Sequence, residues 1–184
     1  MVDGWIKRWV AWGSGCTAIL LVACLVLMGC GGSGEAADNA GADTAPAEPT
    51  TQTVTIKDMT FELELALDGD ARLQGLSDRK EIAEDGGMLF VFPRPERAGF
   101  VMRRCYVPID IIYIDDDGYI DSMHAMQVIE PIEGPEWHNP SKRYWSSGKI
   151  AFAIELKGGT LDKLDLKRGE RIEMPYEALM SRAQ

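Results

Sequence analysis

An uncharged apolar run near the amino end, Cys16 to Met28, separates this chain into parts that cannot share one core. Basic residues precede the run, and a positive segment followed by an apolar one of this length is typical of a secretory signal. The run closes with Leu27-Met28-Gly29-Cys30, which resembles the lipobox where a lipoprotein signal peptide is cut once the cysteine carries lipid. We therefore predict a signal peptide over residues 1–29 and a lipid anchor at Cys30.

The same run permits a second interpretation, an uncleaved transmembrane helix from Trp9 to Met28, which is long enough to span a bilayer. Both interpretations place the remaining chain outside the inner membrane, because Lys7 and Arg8 hold the amino end inside. Gly31 follows the cysteine, and by resemblance to the enterobacterial sorting rule this favours the outer membrane over the inner one. In a Gram-negative source, the predicted location is the periplasmic face of the outer membrane.

Residues 31–52 contain no aromatic residue and no Val, Ile, Leu or Met, and their four acidic residues are matched by no basic one. Such a segment cannot bury enough apolar surface to offset the entropy lost on ordering. We predict a lipidated cysteine and disordered linker over 30–52, and one folded domain over 53–184.

The domain is acidic: from Thr51 onward, 24 Asp and Glu residues stand against 17 Lys and Arg, a formal net charge of −7. This charge repels phosphate backbones, so nucleic acid is not an expected partner. Cys105 is the single cysteine of the domain and has no intramolecular disulfide partner. The fold must therefore be stabilised by its core, and Cys105 is interpreted as a buried small hydrophobe.

Alternation of apolar and polar residues predicts most of the strands. Phe61 to Leu67 reads as a half-buried strand, with Val54 to Met59 as its hairpin partner. Met88 to Phe92 is continuously apolar, as expected of a central strand. Ile150 to Leu156 alternates and is predicted to be half-buried. Two further segments, Asp110–Asp115 and Tyr119–Val128, flank the turn sequence Asp116-Asp117-Gly118.

Helical signals are fewer and shorter. Asp70 to Arg79 is predicted to form a helix capped by Asp70, with Leu73 and Leu76 facing inward. Leu161 to Leu166 is predicted to form a helical turn, and Arg171 to Met174 a last short strand. The predicted fold class is β-rich α+β: a single curled, mainly antiparallel sheet or partial β-barrel with one or two short helices.

A set of ordered motifs is similar to a known family. The chain resembles the domain of unknown function 192 over about residues 54–174, which implies a small β-rich fold in exported or anchored proteins, with no established activity. The motifs that carry the resemblance are Arg72-x-x-Gly75-Leu76-x-x-Arg79, Gly87 to Phe92, Phe100-Val101-Met102, Pro108 to Asp115 with Gly118, Ile154-Glu155-Leu156 and Lys167 to Glu170.

The chain departs from the family pattern at three places. Ser77 stands where the family often has Met, Val101 where it often has Trp, and Arg103-Arg104-Cys105 where it usually has Lys-Asn-Thr. A ligand that stacks on the Trp of other members cannot bind in the same way beside Met102 of this chain.

Asp110 opens a strand and shares its face with two isoleucines, so its carboxylate is expected at the core side of the rim and needs a partner. Arg72 and Arg79 are seven residues apart and would share one face of a single helix. A structural salt bridge between an arginine and Asp110 and a ligand-binding role for the three residues are both open interpretations.

Glu155 shares its strand face with Ala151 and Ala153, and two small residues beside an acid can form the floor of a shallow groove. The alternative is a solvated face, since glutamate is usually exposed. Paired with Asp110, Glu155 would form a two-carboxylate hydrolase or glycan-active site.

His124 and Met126 would share a strand face and offer an imidazole and a thioether, ligands that suit copper. Met102 or Cys105 would have to complete such a site, and methionine more often fills gaps in a core. No serine-hydrolase, phosphate-loop, dinucleotide or zinc-protease motif occurs in the sequence. We expect neither a cofactor nor a resident metal.

These observations favour a non-catalytic envelope module that is attached to the membrane by lipid and binds a partner protein or a small polar ligand. Arg72, Arg79, Met102, Asp110 and Glu155 are its candidate binding residues. The alternative is a hydrolase that uses Asp110 with Glu155, and a copper-handling protein is the third hypothesis.

Overall fold

Six strands form one curled mixed sheet in the computed structural model, which describes residues 50–184. The strand order is β1-β2-β3-β8-β5-β6, and β4 and β7 form a separate two-stranded sheet. The strands are β1 (Thr51–Ile56), β2 (Met59–Ala66), β3 (Gly86–Glu96), β4 (Gly99–Phe100), β5 (Ile109–Ile114), β6 (Ile120–Met126), β7 (Tyr144–Trp145) and β8 (Ile150–Lys157). The helices are α1 (Gly69–Gln74), α2 (Pro135–His138), α3 (Thr160–Leu164) and α4 (Tyr176–Met180).

The β-rich α+β class and the curled sheet are confirmed, without a closed barrel. The two predicted hairpins are also present, with β1 antiparallel to β2 and β5 antiparallel to β6. β1 begins at Thr51, two residues before the predicted start of the domain. The signal segment, Cys30 and the linker up to residue 49 lie outside the described residues. Within residues 50–184, no helix is long and apolar enough to cross a membrane.

The sheet is buried on both faces at its centre. One face carries a core that includes Phe61, Ile112 and Phe152 and is covered by α3, α4 and the segment before α4. The other face carries Phe90, Ile111 and the segments that follow α1 and β3. The half-buried interpretation of Ile150 to Leu156 was therefore wrong, because β8 lies between β3 and β5 and both of its faces are covered.

β2 and β3 run parallel, whereas the sequence had indicated mainly antiparallel links. A parallel pair cannot be joined by a tight turn, so the chain must cross over between the two strands. Residues 67–85 make this crossover and contain α1. The crossover passes above the face that carries Phe90, and it forms one wall of the site described below.

α1 differs from the predicted helix in three ways. Its N-cap is Asp68, not Asp70, and the Asp68 side chain accepts a hydrogen bond from the Ala71 N–H at 2.8 Å. Leu73 faces solvent and is 67% exposed, and only Leu76 of the two leucines is buried. The helix ends at Gly75, whose φ of 51° lies in the left-handed region. Arg72 and Arg79 therefore do not share a helix face.

The carboxyl-terminal part of the domain also differs from the prediction. Arg171 forms one isolated bridge with Tyr119 instead of a strand over Arg171 to Met174. The helical turn predicted near Leu161 is present as α3, while α2 and α4 were not predicted. The described residues thus contain four short helices in place of one or two. These helices are four to six residues long, too short to show a helical period in the sequence.

Candidate functional site

A cavity of about 450 Å³ opens between α1 and the loop that follows β3. Its walls come from Gly69 and residues 72–77 of the crossover, from the segment 96–105 at and after the end of β3 with the exception of Met102 and Arg104, and from Asn139, Pro140 and Arg143 before β7. Phe90 and Phe92 of β3 and Glu155 of β8 line it from the sheet. The volume lies in the range of sites that hold small organic ligands.

Glu155 is the most unusual residue of this cavity. It is only 4% exposed, and its Oε2 atom has no hydrogen-bond partner among residues 50–184. Burial raises the pKa of the Glu155 carboxyl to about 7, although the Leu76 N–H bonded to it and the charge of Arg79 offset part of the effect. The carboxyl therefore titrates closer to neutral pH than an ordinary glutamate does.

The strand register explains why Glu155 faces the cavity. Glu155 lies between Met88 of β3 and Ile111 of β5, on the face that carries Phe90. Its neighbour on this face is Ala153, a small residue opposite Phe90. The predicted groove floor of two alanines is not formed, because Ala151 packs in the core of the opposite face and Ala153 does not line the cavity. The solvated alternative is also wrong, because Glu155 is buried.

Gly75 brings the crossover close to the acid. A Cβ atom at this position would lie 3.4 Å from Phe90 Cζ and 3.5 Å from Glu155 Oε2, at the edge of ordinary contact. The positive φ of Gly75 is also disfavoured for a residue with a side chain. The Gly75-Leu76 motif therefore turns the chain at the end of α1 and supplies the Leu76 N–H to Glu155.

Four arginines line the cavity, and none of them takes part in the seven ion pairs found within residues 50–184. Arg97 donates from Nε to the Ser146 carbonyl at 3.2 Å and lies over the Trp145 ring. Arg103 donates from Nη2 to the Leu73 carbonyl at 2.8 Å, while its Nε is buried without a partner in this part of the chain.

The predicted binding residue Arg72 is the third cavity arginine, and its hydrogen bonds are structural. It donates to the main-chain oxygens of Leu67, Val91 and Gln184 at 2.8, 2.9 and 2.7 Å, which ties α1 to β3 and to the segment after α4. Its guanidinium also lies over the Phe92 ring. Arg143, the fourth, lines the opposite wall of the cavity.

Cys105 also lines the cavity, and it is buried as the sequence had indicated. Burial, and to a smaller extent the nearby Glu155, raise the pKa of its thiol to about 12. The thiol therefore stays protonated at neutral pH, and it donates a hydrogen bond to the Arg103 carbonyl at 3.4 Å. A protonated thiol is a poor nucleophile, so Cys105 contributes to the wall.

Asp110 is buried, but it lies on the other face of the sheet. Asp110 is paired with Leu156 and Ile111 with Glu155, and adjacent residues of a strand point to opposite faces. The Asp110 Oδ2 atom accepts a hydrogen bond from Leu161 N–H at 2.8 Å, at the start of α3. Burial raises the pKa of Asp110, while backbone N–H groups of Leu161, Gly159 and Thr160 act in the opposite direction.

The structure thus does not bring Asp110 and Glu155 together, so the two-carboxylate site has no geometric support. It also pairs neither Arg72 nor Arg79 with Asp110. Arg79 forms a two-pronged ion pair with Glu64, at 2.5 and 2.7 Å. Met102 is fully buried in the core beside the cavity, where it does not line the open space.

The structure also shows where the two proposed copper ligands, His124 and Met126, lie. Met126 is fully buried, and His124 shares its face, as predicted, because they pair with Ile109 and Ile111 respectively. The Nε2 atom of His124 lies 2.9 Å from the Trp145 carbonyl oxygen. Within residues 50–184, no group of three His, Cys, Asp or Glu side chains is placed to hold a metal ion.

Sequence reasoning selected Glu155 but missed the arginines around it, Arg97, Arg103 and Arg143. A signal for them existed in the charge pattern. Residues 94–104 contain four arginines and a single acid, although the domain as a whole is acidic. Arg97 and Arg103 belong to this local excess of arginine, whereas Arg143 stands outside it.

A family model matches residues 52–174, under the name DUF192 and the description Uncharacterized ACR. The chain belongs to the DUF192 family. No curated protein matches it. The match spans every strand that lines the cavity, so the resemblance seen in the sequence motifs is confirmed.

Two solved structures share this DUF192 fold. One is a protein from Sinorhizobium meliloti 1021 designated a "putative transcription regulator", 31% identical over 67% of this chain and 90% of that one, with a TM-score of 0.54. The other is a protein of unknown function from Novosphingobium aromaticivorans DSM 12444, 26% identical over 78% of this chain and 100% of that one, with a TM-score of 0.56.

Proposed function

We propose that this DUF192 protein is a non-catalytic binding module whose cavity takes a small polar ligand. The observation that carries the proposal is the Oε2 atom of Glu155, which faces the cavity from a buried position without a hydrogen-bond partner. Leaving a buried polar group unsatisfied costs about 1–3 kcal/mol. A ligand that hydrogen-bonds to Glu155 would recover this free energy.

The sequence left open whether the module binds a partner protein or a small polar ligand, and a concave site favours the small ligand. The cavity is lined by three phenylalanines together with four arginines and two glutamates, so it offers a small ligand both apolar contacts and charged groups. The regulator designation of the Sinorhizobium relative does not extend easily to this chain, because its formal net charge of −10 opposes nucleic-acid binding.

The proposal includes the location. The lipobox-like sequence before Cys30 supports a lipid anchor, and the acidic segment that follows supports a flexible linker to the domain. Such a protein would present its cavity to solutes of the cell envelope. Metabolic labelling with a palmitate analogue tests the anchor: we expect the full chain to be labelled and a Cys30→Ala variant to remain unlabelled.

Ligand binding is tested on the full chain purified in detergent, by thermal unfolding against a library of small acids, amides, amines and sugars. We expect at least one compound to raise the melting temperature. Val101→Trp, which adds an indole to the cavity wall, should abolish this rise, while Val128→Trp adds the same ring outside the cavity and serves as the control. The proposal is wrong if no compound stabilises the protein, or if Val101→Trp responds like the wild type.

A further inference from the structure

The rim of the cavity is positively charged in a domain that is otherwise acidic. Arg72, Arg97, Arg103 and Arg143 contribute four positive charges, against the carboxyls of Glu96 at the rim and Glu155 at the floor. The domain carries 24 acidic residues, and arginines outside the cavity such as Arg79 and Arg104 are paired with them. Arginines that form no ion pair with an Asp or Glu side chain beside an open cavity are suited to an anionic ligand.

The hydrogen-bond donors of the site point to the same ligand charge. Arg103 Nε is a buried donor without a partner in the described part of the chain, and Glu155 in its protonated form is a second donor at the floor. A cation or a ligand rich in N–H groups would meet the arginines unfavourably. An anion offers acceptors to both.

The walls are suited to a flat apolar body. The rings of Phe90 and Phe100 meet edge to face with their centroids 4.8 Å apart. Phe92, which lies on β3 like Phe90, has the Arg72 guanidinium over its ring. Aromatic walls favour planar, apolar groups through edge and face contacts. A carboxylate is also planar, which matches the two-pronged geometry of a guanidinium better than an isolated point charge does.

We infer that the cavity binds a small organic carboxylate with a flat apolar body, held at its charged end by Arg103 and Arg143 and contacted at the floor by Glu155. This inference rests on the proposed function and names the class of its ligand. An ionised Glu155 would repel the bound anion, so binding takes up a proton at Glu155 when the pH is near neutral.

Other titratable groups lie near Glu155, and the pH dependence expected near neutral pH is assigned to Glu155 and not to them. Burial raises the pKa of Cys105 to about 12 and also raises the pKa of Tyr113, so both stay protonated. The groups around Glu155 are Arg79, Cys105, Tyr113, Glu96 and the four cavity arginines.

The test uses calorimetric titration of the full chain in detergent with benzoate, benzamide and benzylamine, three probes of similar shape and different charge. At pH 6 we expect benzoate to bind at least about tenfold more tightly than either of the others. Benzoate affinity should fall about tenfold between pH 6 and pH 8, following the protonated fraction of Glu155. Glu155→Gln keeps a neutral donor and should remove most of this pH dependence.

Adjacent arginines supply the matched variants. Arg103→Met should weaken benzoate binding at least about tenfold. Arg104→Met should not, because Arg104 is paired with Asp78 and does not line the cavity. If Arg103→Met does not fold, Arg143→Met provides the same test from the exposed rim, where we expect a smaller loss of the same sign.

Benzamide or benzylamine binding as tightly as benzoate, with sensitivity to Val101→Trp, would overturn the inference and leave the proposed function standing. Equal losses in the Arg103 and Arg104 variants would also overturn it, because the charge would then act only at long range. If wild type binds none of the three probes up to about 10 mM at pH 6, the carboxylate class is wrong. The proposed function is then decided by the wider library.

Discussion

Two buried acids lie on neighbouring strands of one sheet, and they differ in how the fold treats them. Asp110 on β5 faces the start of α3, where backbone N–H groups receive its carboxylate. Glu155 on β8 faces the cavity, where one of its oxygens has no partner within residues 50–184. The face with Asp110 is covered by α3, whereas the face with Glu155 opens into the cavity.

The comparison suggests that Glu155 is retained at the expense of stability. A carboxyl whose pKa rises on folding from 4.5 to about 7 destabilises the folded state once it is ionised. This loss of stability is absent when the pH is below 4.5, the pKa of the unfolded state. It grows as the pH rises to about 7 and reaches its full size above that pH. Strained or unsatisfied groups of this kind are concentrated at functional sites.

The largest predicted effect follows from this penalty. Glu155→Gln should raise the free energy of unfolding at pH 8 by about 3 kcal/mol, since each unit of pKa shift corresponds to about 1.4 kcal/mol. At pH 4, where the acid is protonated in both states, the variant and the wild type should be nearly equal. Urea unfolding at the two pH values measures both. A variant less stable than the wild type at pH 8 would remove the contrast between the two acids.

Asp110 should behave in the opposite way. Asp110→Ala leaves the N-terminal N–H groups of α3 without their acceptor, so we expect a loss of about 2 kcal/mol in the free energy of unfolding at pH 7. Asp110→Asn keeps one acceptor oxygen and should lose less. Affinity for benzoate should stay unchanged in the folded Asn variant. A change in that affinity would mean that the two faces of the sheet are coupled.

Gly75 sharpens the comparison on the cavity side. Gly75→Ala should lower the free energy of unfolding by about 1–2 kcal/mol, because the residue has a positive φ. Gly169→Ala is the control, since Gly169 also has a positive φ but no atom lies within 4 Å of an added Cβ. Gly75→Ala alone should also weaken benzoate binding, because the new methyl group lies against Phe90 and Glu155. Equal effects on binding would place Gly75 outside the site.

The smallest effect is expected at Arg79. Its ion pair with Glu64 is substantially exposed, and such pairs contribute about 0.2–1 kcal/mol. Arg79→Met should therefore change the free energy of unfolding by less than about 1 kcal/mol, measured in urea at pH 7. A loss of benzoate binding comparable with that of Arg103→Met would restore Arg79 as a ligand-binding residue.

Much of the sheet could be predicted from local pattern. The alternation of Phe61 to Leu67 and the turn at Gly118 identify their hairpins, because both signals are carried by neighbouring residues. The prediction for Ile150 to Leu156 was wrong because its burial is not set by neighbouring residues. Its alternation of large and small residues resembled that of a half-exposed strand. The position of β8 between β3 and β5 depends on long-range pairing, which no local period records.

The site was predictable only in part. Glu155 attracted attention as an acid beside two alanines, and Asp110 as an acid entering an apolar strand. Whether each carboxylate finds hydrogen-bond donors depends on which segment the fold places beside it, α3 for Asp110 and the crossover for Glu155. Arg97, Arg103 and Arg143 come from loops whose course is set by the whole domain, so their convergence could not be read from spacing.

The central place of β8 also bears on the order in which the sheet can be completed. β8 is the last strand in the chain, yet it fills the position between β3 and β5, which precede it by many residues. Before β8 is in place, β3 and β5 each have one edge without a hydrogen-bonded neighbour, and the cavity lacks Glu155. Synthesis of residues 50–149 alone therefore cannot produce the native sheet. Completion of the sheet therefore waits until β8, which ends at Lys157, has been synthesised.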